Sequence, residues 1–344
     1  MRKKYFPGGS HSSMLKHFSH IYVEKQILDH PRTLSILAKF KNSEVIQIVH
    51  YKDVFNRRGQ NFRAQKLSQK LILAKREDHF LYPGSHFSPN FDHPHFYYNT
   101  LALNCIYDCS YCYLQGMFSS ANLVFFVNWE DFFNATDTFL EKHKSLYLAL
   151  SYDTDLLATE SFFPAVSAWI EFAQSRRDLI LEIRTKSSQF AAIQKSLPIP
   201  NCILAWTISP ESICREIEKK TPSLSARLTA IQSSLEAGWK VRLCLDPILR
   251  VRDWQKKYEA FIQELHKQID LDQVHDISIG SFRMNTEFLG NIQNLRADDS
   301  LLYYPYARQS GIASYPTSEN EEMLSFVKAC LDGKVKESKI KVSF

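Results

Sequence analysis

The 344 residues are 44% hydrophobic and 13% aromatic, which excludes a disordered chain and supports a sizeable buried core, in about two domains or one large α/β unit. No apolar run approaches the ~18 residues that span a bilayer, the Met-Arg-Lys-Lys start lacks a signal peptide's apolar stretch, and seven unevenly spaced cysteines form no disulfide framework; a cytoplasmic, reducing setting is expected. Charge is lopsided: residues 1–76 hold 16 Lys or Arg against 4 Asp or Glu, a surplus of 12, and with the whole chain at +5 the remainder stands at −7.

That asymmetry suits an anionic partner, nucleic acid before membrane, because no apolar helical face accompanies it; the alternative is a solvated basic face without a partner. Residues 1–19 read as a mobile start. Ile21-Tyr22-Val23, a helix opened by Pro31 across Arg32–Lys41, and the alternating run Glu44–Tyr51 predict a small β-α-β unit. Residues 56–76 are basic, part loop and part strand, the strand at Leu71–Ala74. Phe96–Leu103 is strand-like and leads into a cysteine loop. Leu123–Val127 follows as a strand, then a helix over Trp129–Lys142.

From there strand and helix alternate. Strands are predicted at Leu146–Ser151, Leu179–Thr185, Cys202–Ile208, Lys240–Asp246 and Val274–Gly280, with helices at Phe162–Ser175, Ser223–Ala237 and Trp254–Gln268 between them. Gly238 sits where a helix ends in a left-handed turn. Such alternation predicts parallel strands with helices outside, a complete or partial (β/α) barrel whose chemistry gathers at the carboxyl ends of the strands. Tyr303–Tyr315 reads as a hairpin, either carrying stacking rings beside Arg308 for nucleic acid or simply capping the barrel, and Ser318–Leu331 as a terminal helix. The chain thus divides into a basic N-terminal segment (1–95), a partial barrel (96–300) and a C-terminal hairpin and helix (301–344).

The chemistry-bearing stretch is Cys105-Ile106-Tyr107-Asp108-Cys109-Ser110-Tyr111-Cys112-Tyr113. Three cysteines spaced x3 then x2 can turn three thiolates toward one point, and no fourth lies nearby, the next being Cys202. Three thiolates on a four-iron cube leave one iron open to a small molecule, whereas a structural site is normally closed. A partial zinc site completed by a distant His is the alternative.

Cys-x3-Cys-x-aromatic-Cys resembles the signature of the radical S-adenosylmethionine superfamily, in which the open iron chelates the methionine group and the aromatic, here Tyr111, packs beside the adenine. The chain further resembles the spore photoproduct lyases, which reverse a methylene-bridged thymine dimer in DNA. The likeness runs from about Ile21 to Leu331, through Cys109–Gln115, Phe126–Asp131, Thr185-Lys186, Thr207–Ser209, Ala237–Lys240, Pro247–Arg250 and Arg308 with Gly311-Ile312. The resemblance implies a 4Fe–4S cluster held by Cys105, Cys109 and Cys112. It implies S-adenosylmethionine contacts from Thr154, Lys186 and Thr207, with Tyr111 and Tyr113 near the radical path and Arg308 against DNA. An electron donor such as flavodoxin or ferredoxin and a monomeric state go with it.

Two departures stand out. Where the family carries its hydrogen-donor cysteine this chain has Ser151, whose O–H is too strong to quench a carbon radical readily; Tyr152 and Cys244 are the substitute candidates. Beside Arg308 the family's tyrosine and lysine are absent, Gln309 and Ser310–Ser314 standing there. The expected activity is therefore lesion reversal in DNA through a 5′-deoxyadenosyl radical. Its rivals are radical chemistry on RNA or a non-lesion base, and a non-catalytic nucleic-acid-binding protein holding zinc.

Overall fold

The computed structural model describes residues 17–85 and 89–343. The mobile start expected over residues 1–19 lies, for residues 1–16, outside them. Eight strands form the larger sheet, and their order in space follows their order in the chain. They are Tyr82–Pro83, Phe96–Tyr98, Leu146–Ala149, Leu179–Thr185, Cys202–Thr207, Lys240–Ile248, Asp276–Ser281 and Ile340–Ser343. All pairs are parallel except the first, which is antiparallel. The sheet curls until both end strands line one cavity, but those strands do not pair with each other, which leaves an open partial barrel. The predicted alternation corresponds to this sheet and to helices Trp129–His143, Ala165–Gln174, Leu224–Glu236, Trp254–Gln268 and Thr317–Leu331. Gly238 closes the third of these with φ +86°.

The barrel strands have two distinct faces because successive side chains point to opposite sides. Leu181, Ile183, Leu204, Trp206, Val241, Leu243, Ile277 and Ile279 belong to one continuous core beneath the helices. The inner face is lined by a separate small apolar cluster of Phe96, Tyr147, Ala149 and Ile203, with Phe91, Tyr98, Tyr152 and Ile180 against it. Charged groups continue that inner face. Arg242 pairs with Asp276 (2.5 Å) and Glu182 (2.5 Å), and Arg283 with Asp246 (3.2 Å). Each charge is matched by an opposite one, as burial demands.

The β-α-β unit is present: strand His20–Glu24, helix Pro31–Lys39 and strand Glu44–Ile48, the strands parallel. Its sheet is larger than the sequence suggests. Five strands lie in the order Glu44–Ile48, His20–Glu24, Leu71–Ala74, Leu123–Phe126, Ala102–Leu103, so two come from beyond residue 95. The strand expected over Phe96–Leu103 is consequently two. Phe96–Tyr98 pairs in the barrel and Ala102–Leu103 runs antiparallel to Leu123–Phe126 in the other sheet. Asn99-Thr100-Leu101 is the crossing, and buried Asn99 anchors it by accepting from the Ser151 amide (3.0 Å). Helices Phe62–Leu67 and Thr286–Leu295 and the final strand Ile340–Ser343 were not foreseen.

Candidate active site

The cysteine loop lies in the connection between Ala102–Leu103 and Leu123–Phe126, antiparallel partners in the five-stranded sheet, and is held by groups from distant parts of the chain. The Lys66 ammonium donates to the carbonyls of Cys105 (2.5 Å) and Tyr107 (2.6 Å), and Gln69 Nε2 to that of Cys105 (3.1 Å). Gln115 Nε2 donates to the carbonyl of Cys109 (2.8 Å) and, at 3.3 Å, to those of Ser110 and Cys112. Arg296 fixes Gln115 through Nε (2.5 Å) and pairs with Asp108. Asp108–Cys109 also forms a short antiparallel bridge with Glu218–Lys219. These bonds satisfy the carbonyls of an irregular buried segment, which no regular ladder does.

Cys105, Cys109 and Cys112 line one small cavity together with Lys66, Tyr107 and Asp108. Burial pushes all three thiols up, Cys105 to about 12, so they are poor free nucleophiles and become ligands when a cation displaces their protons. No three His, Cys, Asp or Glu side chains among the described residues stand in a ready-made metal-binding arrangement. The donor set is nevertheless that of a thiolate-held group: three soft ligands on one wall. Cys202, the next along the chain, is buried on the strand face beneath the helices. The residues fit a group that takes three protein ligands and leaves one position open.

Around the loop, the strand ends converge. The Lys186 ammonium lies 5.4 Å from the centre of the Tyr111 ring. The Tyr111 hydroxyl donates to Glu218, whose other oxygen meets Arg227 at 2.6 Å in a pair with both side chains fully buried. Burial opposes the charge on Glu218, but Arg227 and then Lys186 outweigh it and hold the carboxyl below the usual range. Arg227 also donates to the carbonyl of Thr207 (3.1 Å), fixing the end of that strand. Asp155 accepts from the Thr185 hydroxyl (2.7 Å) and the Lys186 amide (2.7 Å), and so aims the Lys186 backbone.

Tyr113 donates to the Tyr152 carbonyl (3.0 Å) and to Asp153 (3.1 Å), which also accepts from Thr100 (2.9 Å). Ser151 is buried in a left-handed conformation (φ +56°), and its hydroxyl, like that of Thr154, has no hydrogen-bond partner. Orphaned buried hydroxyls at a strand end suit a polar ligand. Tyr152 stacks on Tyr98 (5.2 Å between centroids). Cys244 is buried on an inner face, in register with Thr207 and Ser278, and accepts from Arg184 at 3.5 Å.

The sequence-based candidates thus fall into one region except Arg308, which is exposed on the hairpin strand Ala307–Gln309. The hairpin itself is mainly a cap. Tyr304, Tyr306 and Tyr315 pack on one another at 5.0–5.3 Å, and Tyr306 also on Phe282 at 4.8 Å, leaving Tyr303 as the exposed ring. Sequence reading missed Lys66, Glu218, Arg227 and Arg296. Glu218 lies 107 residues from its partner Tyr111 and Arg296 188 from Asp108, so no local pattern marks them.

The sequence model of the spore photoproduct lyase family matches residues 17–287. The spore photoproduct lyase of Bacillus subtilis (strain 168) is 23% identical over 267 residues, 75% of each chain; that of Clostridium acetobutylicum is 22% identical over 279, covering 78% of this chain and 80% of its own. A spore photoproduct lyase variant with bound AdoMet and dinucleoside spore photoproduct superposes with a TM-score of 0.80 at 19% identity, over 95% of this chain and 98% of that one. With a match across most of its length and the same partial barrel, the chain belongs to the spore photoproduct lyase family.

Proposed function

We propose that this protein is a radical S-adenosylmethionine lyase that reverses a spore photoproduct-type thymine dimer in DNA. When bound, a 4Fe–4S cluster and S-adenosylmethionine supply one-electron cleavage of the sulfonium C–S bond and a 5′-deoxyadenosyl radical that takes a hydrogen atom from the substrate. Cys105, Cys109 and Cys112 would hold the cluster. Lys186, at a strand end, is placed to meet the cofactor carboxylate as a point charge, and the hydroxyls of Thr154 and Thr207 to bond its oxygens. Tyr111 offers an apolar ring beside Lys186, its hydroxyl tied back by Glu218 so that the ring face is presented. Tyr113 and Asp153 brace the Ser151–Asp155 segment, and the Tyr98–Tyr152 stack keeps water from the inner face.

The observation that carries this reading is the shared cavity wall of the three cysteines inside a chain matched to the family over residues 17–287. Exposed Lys25, Lys41, Lys52, Arg57 and Arg58 on the N-terminal segment, with Arg308, give the surface that meets the phosphate backbone. No helix among the described residues is long and apolar enough to cross a membrane; a cytoplasmic monomer served by a flavodoxin- or ferredoxin-type donor completes the proposal.

Ser151 favours a second reading, a different nucleic-acid substrate, because its hydroxyl cannot donate as a thiol does. Anaerobic reconstitution with iron, sulfide, reductant and S-adenosylmethionine, followed by a dinucleotide spore photoproduct, separates the two. Thymine and 5′-deoxyadenosine together are expected. Cofactor cleavage without thymine transfers the case to the second reading, and a colourless protein holding zinc without iron rejects both. Cys109→Ala should lose brown colour and 5′-deoxyadenosine alike.

A further inference from the structure

Lys66 is a buried cation without a counter-charge. Its residue is 6% exposed, and among the described residues no carboxylate lies within ion-pair distance of its ammonium. Its two hydrogen-bond acceptors, the Cys105 and Tyr107 carbonyls, are neutral. The nearest acidic side chain on the same cavity, Asp108, is already taken by Arg296. A lysine is almost never buried this deeply unless paired. What Lys66 does face is the cavity wall formed by Cys105, Cys109 and Cys112.

The position is also built. Lys66 sits on the short helix Phe62–Leu67, whose first turn is capped by the Asn61 side chain accepting from the Ala64 amide (2.9 Å). Lys220 donates to the Lys66 carbonyl, and Arg63 on the same helix reaches Asp298 (3.3 Å) and the Leu295 carbonyl (3.4 Å). The side chain is therefore delivered from the N-terminal sheet's side to the cysteine loop and held there.

We infer that Lys66 is the counter-cation of the iron–sulfur site and raises its reduction potential, an inference that rests on the cluster reading proposed above. A cube carried by three thiolates is anionic, and taking up one electron adds a further negative charge. A fixed ammonium on the cavity wall stabilises the reduced form more than the oxidised one, and cluster potentials respond to net local charge and to hydrogen bonding around the ligands. Lys66 also locks the Cys105 and Tyr107 carbonyls, so one side chain both shapes the loop and sets its electrostatics. It is a positioning residue, since it touches the loop backbone and not the substrate.

The test is a potentiometric titration of the anaerobically reconstituted full-length chain, followed by electron paramagnetic resonance, for the unaltered protein, Lys66→Met, Lys66→Gln and Lys66→Arg. Lys66→Met and Lys66→Gln with normal iron content should show at least a tenfold less favourable one-electron reduction, about 59 mV more negative, with Lys66→Arg close to the unaltered protein. Gln retains a hydrogen-bond donor without charge, so an unchanged potential in it overturns the inference. If Met and Gln variants take up no iron while Arg does, the requirement for positive charge is equally supported. If none of the three loads iron, the site needs the lysine's shape and the charge role is overturned. An unaltered protein that binds no cluster sinks the underlying reading too, whereas a loaded one with a potential indifferent to Lys66 sinks this inference alone.

Discussion

Single side chains in this protein act through charge balance in dry surroundings. Arg227 and Glu218 are both fully buried, and Glu218 in turn orients Tyr111. Arg227→Met should destabilise the fold by about 3–5 kcal/mol by stranding a buried carboxylate, and adding Glu218→Gln should recover part of the loss; denaturant unfolding of the single and double variants checks both. The pH dependence has a definite sign. The Glu218 carboxyl is held below its ordinary value, so its contribution is present above the unfolded-state pKa of about 4.3 and disappears as pH falls through the lower folded value. The stability gap between the unaltered protein and Glu218→Gln should therefore narrow only below about pH 4.3. Ser151 marks the other residue-level departure. Ser151→Cys places a weak S–H bond at the strand end and should raise the thymine formed per 5′-deoxyadenosine, measured by product chromatography; an unchanged ratio would assign hydrogen donation elsewhere.

Elements matter here through how closely their backbones approach. The turn of helix Leu114–Met117 that follows the cysteine loop lies against helix Thr286–Leu295, and Gly116 makes that approach possible. A Cβ built there would stand 2.3 Å from the Phe288 carbonyl oxygen and 2.6 Å from its Cα, backbone atoms that cannot rotate away. Gly116→Ala should cost about 1–3 kcal/mol by overpacking and push the cysteine loop out of place. A lowered thermal midpoint together with reduced iron uptake is the expected result. The same junction is tied by Asn291 donating to the Gly116 carbonyl (2.9 Å) and by Arg296 to Gln115 and Asp108. Asn291 lies on a helix that sequence periodicity did not reveal, and Arg296 is the residue at its C-terminal cap.

At the scale of the whole molecule, the proposed function asks a basic segment and a chemical site in a curled sheet to address one duplex. On the proposed reading, the surplus of 12 positive charges in residues 1–76 pulls on phosphates independently of sequence, and Arg308 stands exposed on the capping hairpin. Arg308→Ala should weaken DNA binding and lower the slope of log affinity against log salt by about one unit. A salt titration indistinguishable from that of the unaltered chain would remove the hairpin from the binding surface.

Local sequence carried a large part of this description because the relevant signals are short-ranged. Alternating apolar runs and helical periods marked the barrel strands, Gly238 its turn, and Cys105, Cys109 and Cys112 their common cavity, since seven residues of spacing can bring three thiols to one wall. What pairs across the chain was not legible. The split of Phe96–Leu103 between two sheets, Lys66 over the cysteine loop and Glu218 behind Tyr111 join residues tens to more than a hundred positions apart. Only tertiary packing chooses such partners, because a buried charge or carbonyl takes whichever complementary group the fold delivers, and nothing in its own neighbourhood along the chain records the choice.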